Sequence, residues 1–181
     1  MSSRDTDARP ATLVDIPLVR RLTERGVVLD SELGFTREPN GPNGAIFSSI
    51  LLPQRGLYTL IARSDKQQVV GQFRLRPDDQ NAHIVYISPG LDFDDVDDTA
   101  WLQILDAMTR EAGKHGAHSL IGEVNESSIL FETMRTSGFA VYARQEIWLR
   151  YPGDYAPSEK QVDLTEQTEA DLPGIQSLLM H

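Results

Sequence analysis

No cysteine occurs anywhere in the 181 residues. That absence excludes disulfide staples, thiolate metal sites and a cysteine nucleophile. Basic residues are also scarce. The 17 Lys and Arg stand against 27 Asp and Glu, which leaves a formal net charge of −10. Binding to a phosphate backbone needs a surplus of cations, so nucleic acid is not an expected partner. No apolar run approaches the roughly 18 residues of a membrane helix, and the opening MSSRDTDARP is polar. The expectation is therefore no membrane span, no signal peptide and a cytoplasmic location. Three catalytic signatures are missing as well: the G-x-S-x-G elbow, the G-x-x-x-x-G-K-[ST] phosphate loop and the G-x-G-x-x-G fingerprint.

What is present is an ordinary globular composition, 40% hydrophobic and 24% charged. Such a chain can close a core, and its length suits one domain or one domain plus part of another. Residues 1–8 read as a solvated lead-in. ARPATLV (8–14) reads as a strand and Asp15 as a helix start, with Pro17 in the first turn and Ile16, Val19 and Leu22 at helical spacing. From Gly26 to Gly56 the chain looks irregular, apart from a short helix at AIFSSILL (45–52).

Leu57–Arg63 and Val69–Arg76 read as a hairpin, because apolar Val69, Phe73 and Leu75 alternate with Gln72, Arg74 and Arg76. AHIVYIS (82–88) continues the run. Trp101, Leu105, Met108 and Ala112 mark one face of a helix that Asp97, Asp98 and Thr99 begin and Gly113 and Gly116 end. SLIGEV (119–124) follows as a strand and Ser127–Ser137 as a helix. FAVYA (139–143) and EIWLRY (146–151) read as two closing strands, and YPGDYAPSEK (151–160) as a linker.

One internal repeat stands out. TLVDIPLVRRL, from Thr12, matches TEADLPGIQSL, from Thr168, at seven of eleven positions by residue type. The pairs include Asp15 with Asp171 and Pro17 with Pro173. The expected organisation is a lead-in (1–8), a domain (9–151), a linker (152–161) and the truncated start of a second copy (162–181).

Candidate sites compete with plainer readings. His115 and His118 are three apart, but Gly116 lies between them at a helix end, which leaves two surface histidines. DFDDVDD (92–98) suggests calcium, yet Asp97 stands where the calcium loop needs glycine. A solvated acidic helix start accounts for it. His83 and Tyr86, on the third strand of the run, are candidates for proton transfer if they face a cleft. Tyr142 is a candidate general acid, or else an amphipathic cap on the sheet.

Three stretches carry a resemblance: RPATLVDIPLV (9–19), VVGQFRLRP (69–77), and GAHSLIGEVNESS (116–128) with MRTSGFAVYARQEIW (134–148). In this order of elements the chain resembles the GNAT superfamily of acetyltransferases over about residues 9–151. The resemblance implies an α/β (α+β) fold. Its mixed, mostly antiparallel sheet would have six to seven strands, flanked by about four helices. It also implies acetyl transfer from acetyl-CoA to an amine, with His83 or Tyr86 as base and Tyr142 as acid.

The family's pyrophosphate loop, [QR]-x-x-G-x-[GA], does not appear. Its place reads SPGLDFDDVDDTAW (88–101), with Gly90 too early and five carboxylates that would repel the cofactor. Met134 also stands where active members often have a tyrosine. The alternative is a degenerate domain serving as scaffold or ligand-binding module. The expected partners are accordingly a small-molecule amine or an acyl-CoA, and a second GNAT-like domain or a second copy.

Overall fold

The computed structural model describes residues 8–22, 25–31, 56–64, 67–91, 97–148 and 168–173. The chain divides into two compact units, Met1–Val141 and Tyr142–His181. The expected helix at 45–52, the linker at 151–160 and most of the acidic loop lie outside the described residues.

In the first unit, β1 (Ala8–Pro10) leads through a 3-10 turn at Leu13–Asp15 into α1 (Ile16–Leu22). The short strand β2 (Val27–Val28) comes next. Three longer antiparallel strands follow: β3 (Leu57–Arg63), β4 (Gln68–Leu75) and β5 (Asn81–Ser88). Then come α2 (Thr99–Lys114), β6 (Ser119–Ile121) and α3 (Ile129–Thr136). One six-stranded sheet runs β1-β3-β4-β5-β2, with β6 also paired to β5. Among the described residues only the β5–β6 pair is parallel. The mixed, mostly antiparallel α/β class read from the sequence is the observed one, with three α-helices among the described residues.

The two faces of the sheet bury different sets. Phe73, Ile84 and Ile87 pack beneath Trp101, Ile104, Leu105 and Met108 of α2, together with Leu130 and Met134 of α3. On the other face Val19 of α1 meets Ile61, Val70, Val85 and Tyr86. The helix α2 runs through Gly113 and stops only at Gly116, whose φ of +87° costs glycine little. Ser128 caps α3 by accepting a hydrogen bond from Phe131 N–H at 3.3 Å.

Two expectations at the carboxyl side change. The strand expected at 119–124 ends at Ile121. Residues 139–148 form no strand at all, and 140–148 are exposed. Alternating apolar residues give strand propensity only where a neighbouring strand supplies the ladder, and among the described residues none pairs with this stretch. In the second unit, residues 168–173 make a 3-10 turn at Glu169–Asp171. No helix among the described residues is long and apolar enough to cross a membrane.

Candidate functional site

The parallel pair β5 and β6 is registered over only three positions: Asn81 with Ser119, Ala82 with Leu120, and His83 with Ile121. Beyond them the strands part. Each then leads on to a helix, β5 to α2 and β6 to α3. A crevice at the carboxyl ends of adjacent parallel strands, flanked by helix starts, is a general place for ligands in α/β folds. At the same level β5 carries an extra residue. Gln72 pairs with Tyr86 and Phe73 with Ile84, so Val85 bulges.

The chain itself occupies this crevice. β2 runs antiparallel to the carboxyl end of β5, with Val27 opposite Ile87 and Val28 opposite Tyr86. Leu29 N–H donates to the bulged Val85 carbonyl at 3.0 Å, and the Leu29 carbonyl accepts from Glu123 N–H at 3.0 Å. The segment is thus bonded to both diverging strands, which explains why β6 ends early. Gly90 N–H donates to the Arg25 carbonyl at 2.7 Å. A Cβ on Gly90 would lie 2.7 Å from Val27 Cγ2. The glycine that stands too early for a phosphate loop is therefore placed to let this segment approach.

Polar groups gather along the same segment. Glu123 Oε2 accepts from Ser31 N–H at 2.8 Å, and Asp30, buried, pairs with Arg74 at 3.0 Å. Gln72 donates to Thr59 Oγ1 inside the sheet at 3.1 Å. Neither Glu123 nor the Arg74–Asp30 pair was singled out from sequence. Glu123 lies in a stretch whose pattern is plain strand, and Asp30 in one whose pattern is irregular. The usable signal was VVLD after Gly26, a β-branched run bounded by glycine and aspartate.

The residues expected to do chemistry are placed as follows. His83 is on β5 opposite Arg74, with its side chain 37% exposed and Nε2 3.8 Å from Asp79 Oδ2. Tyr86 is 1% exposed, and its hydroxyl packs so tightly on Gly26 that a Cβ there would lie 1.8 Å away. Burial raises the Tyr86 pKa, against hydrogen bonds with Ser88 and the Gly26 backbone that lower it. A buried phenol with its proton more tightly held presents no base to a cleft. Tyr142 is 77% exposed and belongs to the second unit. Among the described residues no cluster of His, Asp and Glu could hold a metal ion.

At the start of α2, Asp97 Oδ1 accepts from Thr99 N–H at 3.1 Å. Asp98 Oδ2 accepts from Thr133 Oγ1 at 3.1 Å and so ties α2 to α3. A carboxylate therefore occupies a helix-start donor that an anionic ligand would otherwise use. While residues 25–31 stay bonded across it, the crevice holds protein backbone and cannot admit acetyl-CoA, and the adjacent helix start is acidic.

The strand order, the single parallel pair that splays and the helices that follow it define the fold as that of the GNAT acetyltransferases. Solved structures carry the same fold. A probable acetyltransferase superposes with a TM-score of 0.52 at 9% identity, covering 82% of this chain and 99% of the other. An aminoglycoside acetyltransferase from an uncultured soil metagenomic sample, solved with sisomicin, also gives 0.52, at 11% identity and 80% and 94% coverage. A predicted acetyltransferase from Clostridium acetobutylicum, solved with acetyl-CoA, gives 0.49 at 16% identity and covers 81% and 96%. No family model and no curated protein matches the sequence.

Proposed function

We propose that the chain is an acyltransferase of the GNAT type, transferring an acetyl group from acetyl-CoA to a small-molecule amine. The observation that carries the reading is the crevice at the carboxyl ends of β5 and β6, in a fold shared with acetyltransferases. Among the ionisable groups at the crevice, Glu123 holds the segment that fills it through both its backbone N–H and its carboxylate. Its role is to accept a proton from the incoming amine. His83, registered opposite Ile121 two residues before Glu123, is the second proton acceptor.

The test is calorimetric titration with acetyl-CoA, paired with an acetyl-transfer assay over a panel of amines. The sequence carries five carboxylates at 92–98, like in charge to the cofactor, so binding should strengthen as salt is raised, the reverse of an ordinary phosphate site. Glu123→Gln should lower turnover by roughly 10²–10⁴-fold, the usual worth of a general base. An absence of binding at millimolar acetyl-CoA in both salts would leave the scaffold reading in its place.

A further inference from the structure

We infer that residues Arg25–Ser31 are an intramolecular strap that closes the crevice, and that ligand entry requires the strap to lift. The inference rests on the acyltransferase reading for the identity of the ligand, but not for the strap itself. Three features mark the segment as separable from the sheet. It meets β5 over two registered pairs, whereas β3–β4 are registered over seven. Val27 and Val28 stay 41% and 39% exposed, and Leu29 is the segment's only buried apolar anchor. Its bonds also reach three separate places: Val85 on β5, Gly90 after β5 and Glu123 after β6.

The strap mimics what it excludes. Between diverging strands it pairs with β5, where Leu29 N–H donates to Val85, and it offers the Leu29 carbonyl to the β6 side. An extended ligand carrying amides along its length would need the same two partners. The strap also masks the carboxylate that the proposed chemistry needs, through Ser31 N–H on Glu123 Oε2. Lifting it would open the crevice and free Glu123 in one step. Arg74, paired with Asp30 at 3.0 Å, holds the far end of the strap from β4.

Hydrogen exchange on the full chain tests this. A lifting strap exposes the amides of Leu29, Ser31, Gly90 and Glu123 together, since all four donate across the strap boundary. They should share one exchange rate, at least tenfold faster than Val70 and Phe73 in the sheet centre. Gly26→Ala places a methyl against the Tyr86 ring and should raise that shared rate at least tenfold. Gly113→Ala, which meets nothing within 4 Å, should leave it unchanged.

With acetyl-CoA or S-acetylpantetheine as probe, Leu29 should exchange faster while Ile87 slows, and Gly26→Ala should bind at least fivefold more tightly. Four unrelated rates, or exchange only with global unfolding, would overturn the strap. So would probe binding that protects Leu29. If neither chain binds either probe yet the four amides open together, the strap stands and the acyltransferase reading falls.

Discussion

Asp15 illustrates how much one side chain organises. Its carboxylate accepts from Thr12 N–H and Thr12 Oγ1, both at 2.8 Å, and takes both arms of the Arg9 guanidinium at 2.7 Å. It is 4% exposed, so these bonds replace water that it has lost. The Arg9 guanidinium first, and then Thr12, hold its pKa well below the ordinary carboxylate range, although burial opposes them. Because the folded value is depressed, the stabilisation is complete above the unfolded value of about 3.9 and fades as pH falls below it. Asp15→Asn should cost about 1–3 kcal/mol at pH 7, the range for hydrogen bonds to a charged group. The gap between the melting curves of the two chains should narrow progressively as pH falls below about 4. A gap that stays constant with pH would show that the carboxylate's charge is irrelevant.

Helix α2 was readable in the sequence because its apolar spacing, acidic start and glycine stop all agree, and agreement between levels is what specifies an element. What could not be read was how closely it approaches β4. A Cβ on Gly71 would lie 2.8 Å from both Ile104 Cγ1 and Met108 Sδ. Glycine is there for contact and not for its backbone angle, as its φ is not positive. Gly71→Ala should therefore destabilise by about 1–3 kcal/mol through overpacking. That outweighs the gain of roughly 0.4–1 kcal/mol that an alanine brings by restricting the unfolded chain. Gly113→Ala, inside the same helix with open space around it, should stabilise by up to about 1 kcal/mol. Chemical denaturation of the two variants should give shifts of opposite sign, and shifts of one sign would refute the account. β2 and the missing strands at 139–148 escaped the sequence for one reason. Each depends on which backbone edge lies beside it, and periodicity carries no information about that.

At the scale of the whole molecule, the repeated sequence reproduces its local structure. In the first copy Asp15 closes on Thr12, and in the second Asp171 closes on Thr168 with side-chain bonds of 2.9 and 2.8 Å. The residues that follow the two 3-10 turns also share backbone angles, φ −50° at Ile16 and −53° at Leu172. These likenesses support our proposal that residues 162–181 open a second copy of the domain and do not complete the first. The first unit's core supports it too. Among the described residues, every buried apolar side chain lies between Val19 and Met134, within Met1–Val141. Leu172, which corresponds to Ile16 in the first copy, remains 43% exposed. Deleting residues 158–181 should then leave the melting temperature of the remainder within about 2 °C. For a chain of this size a loss of 1 kcal/mol moves it by roughly 2–4 °C, so the measurement resolves even one well-buried side chain. A fall of ten degrees or more would place these residues in the first domain's core and end the tandem reading, whatever the likeness of the two turns.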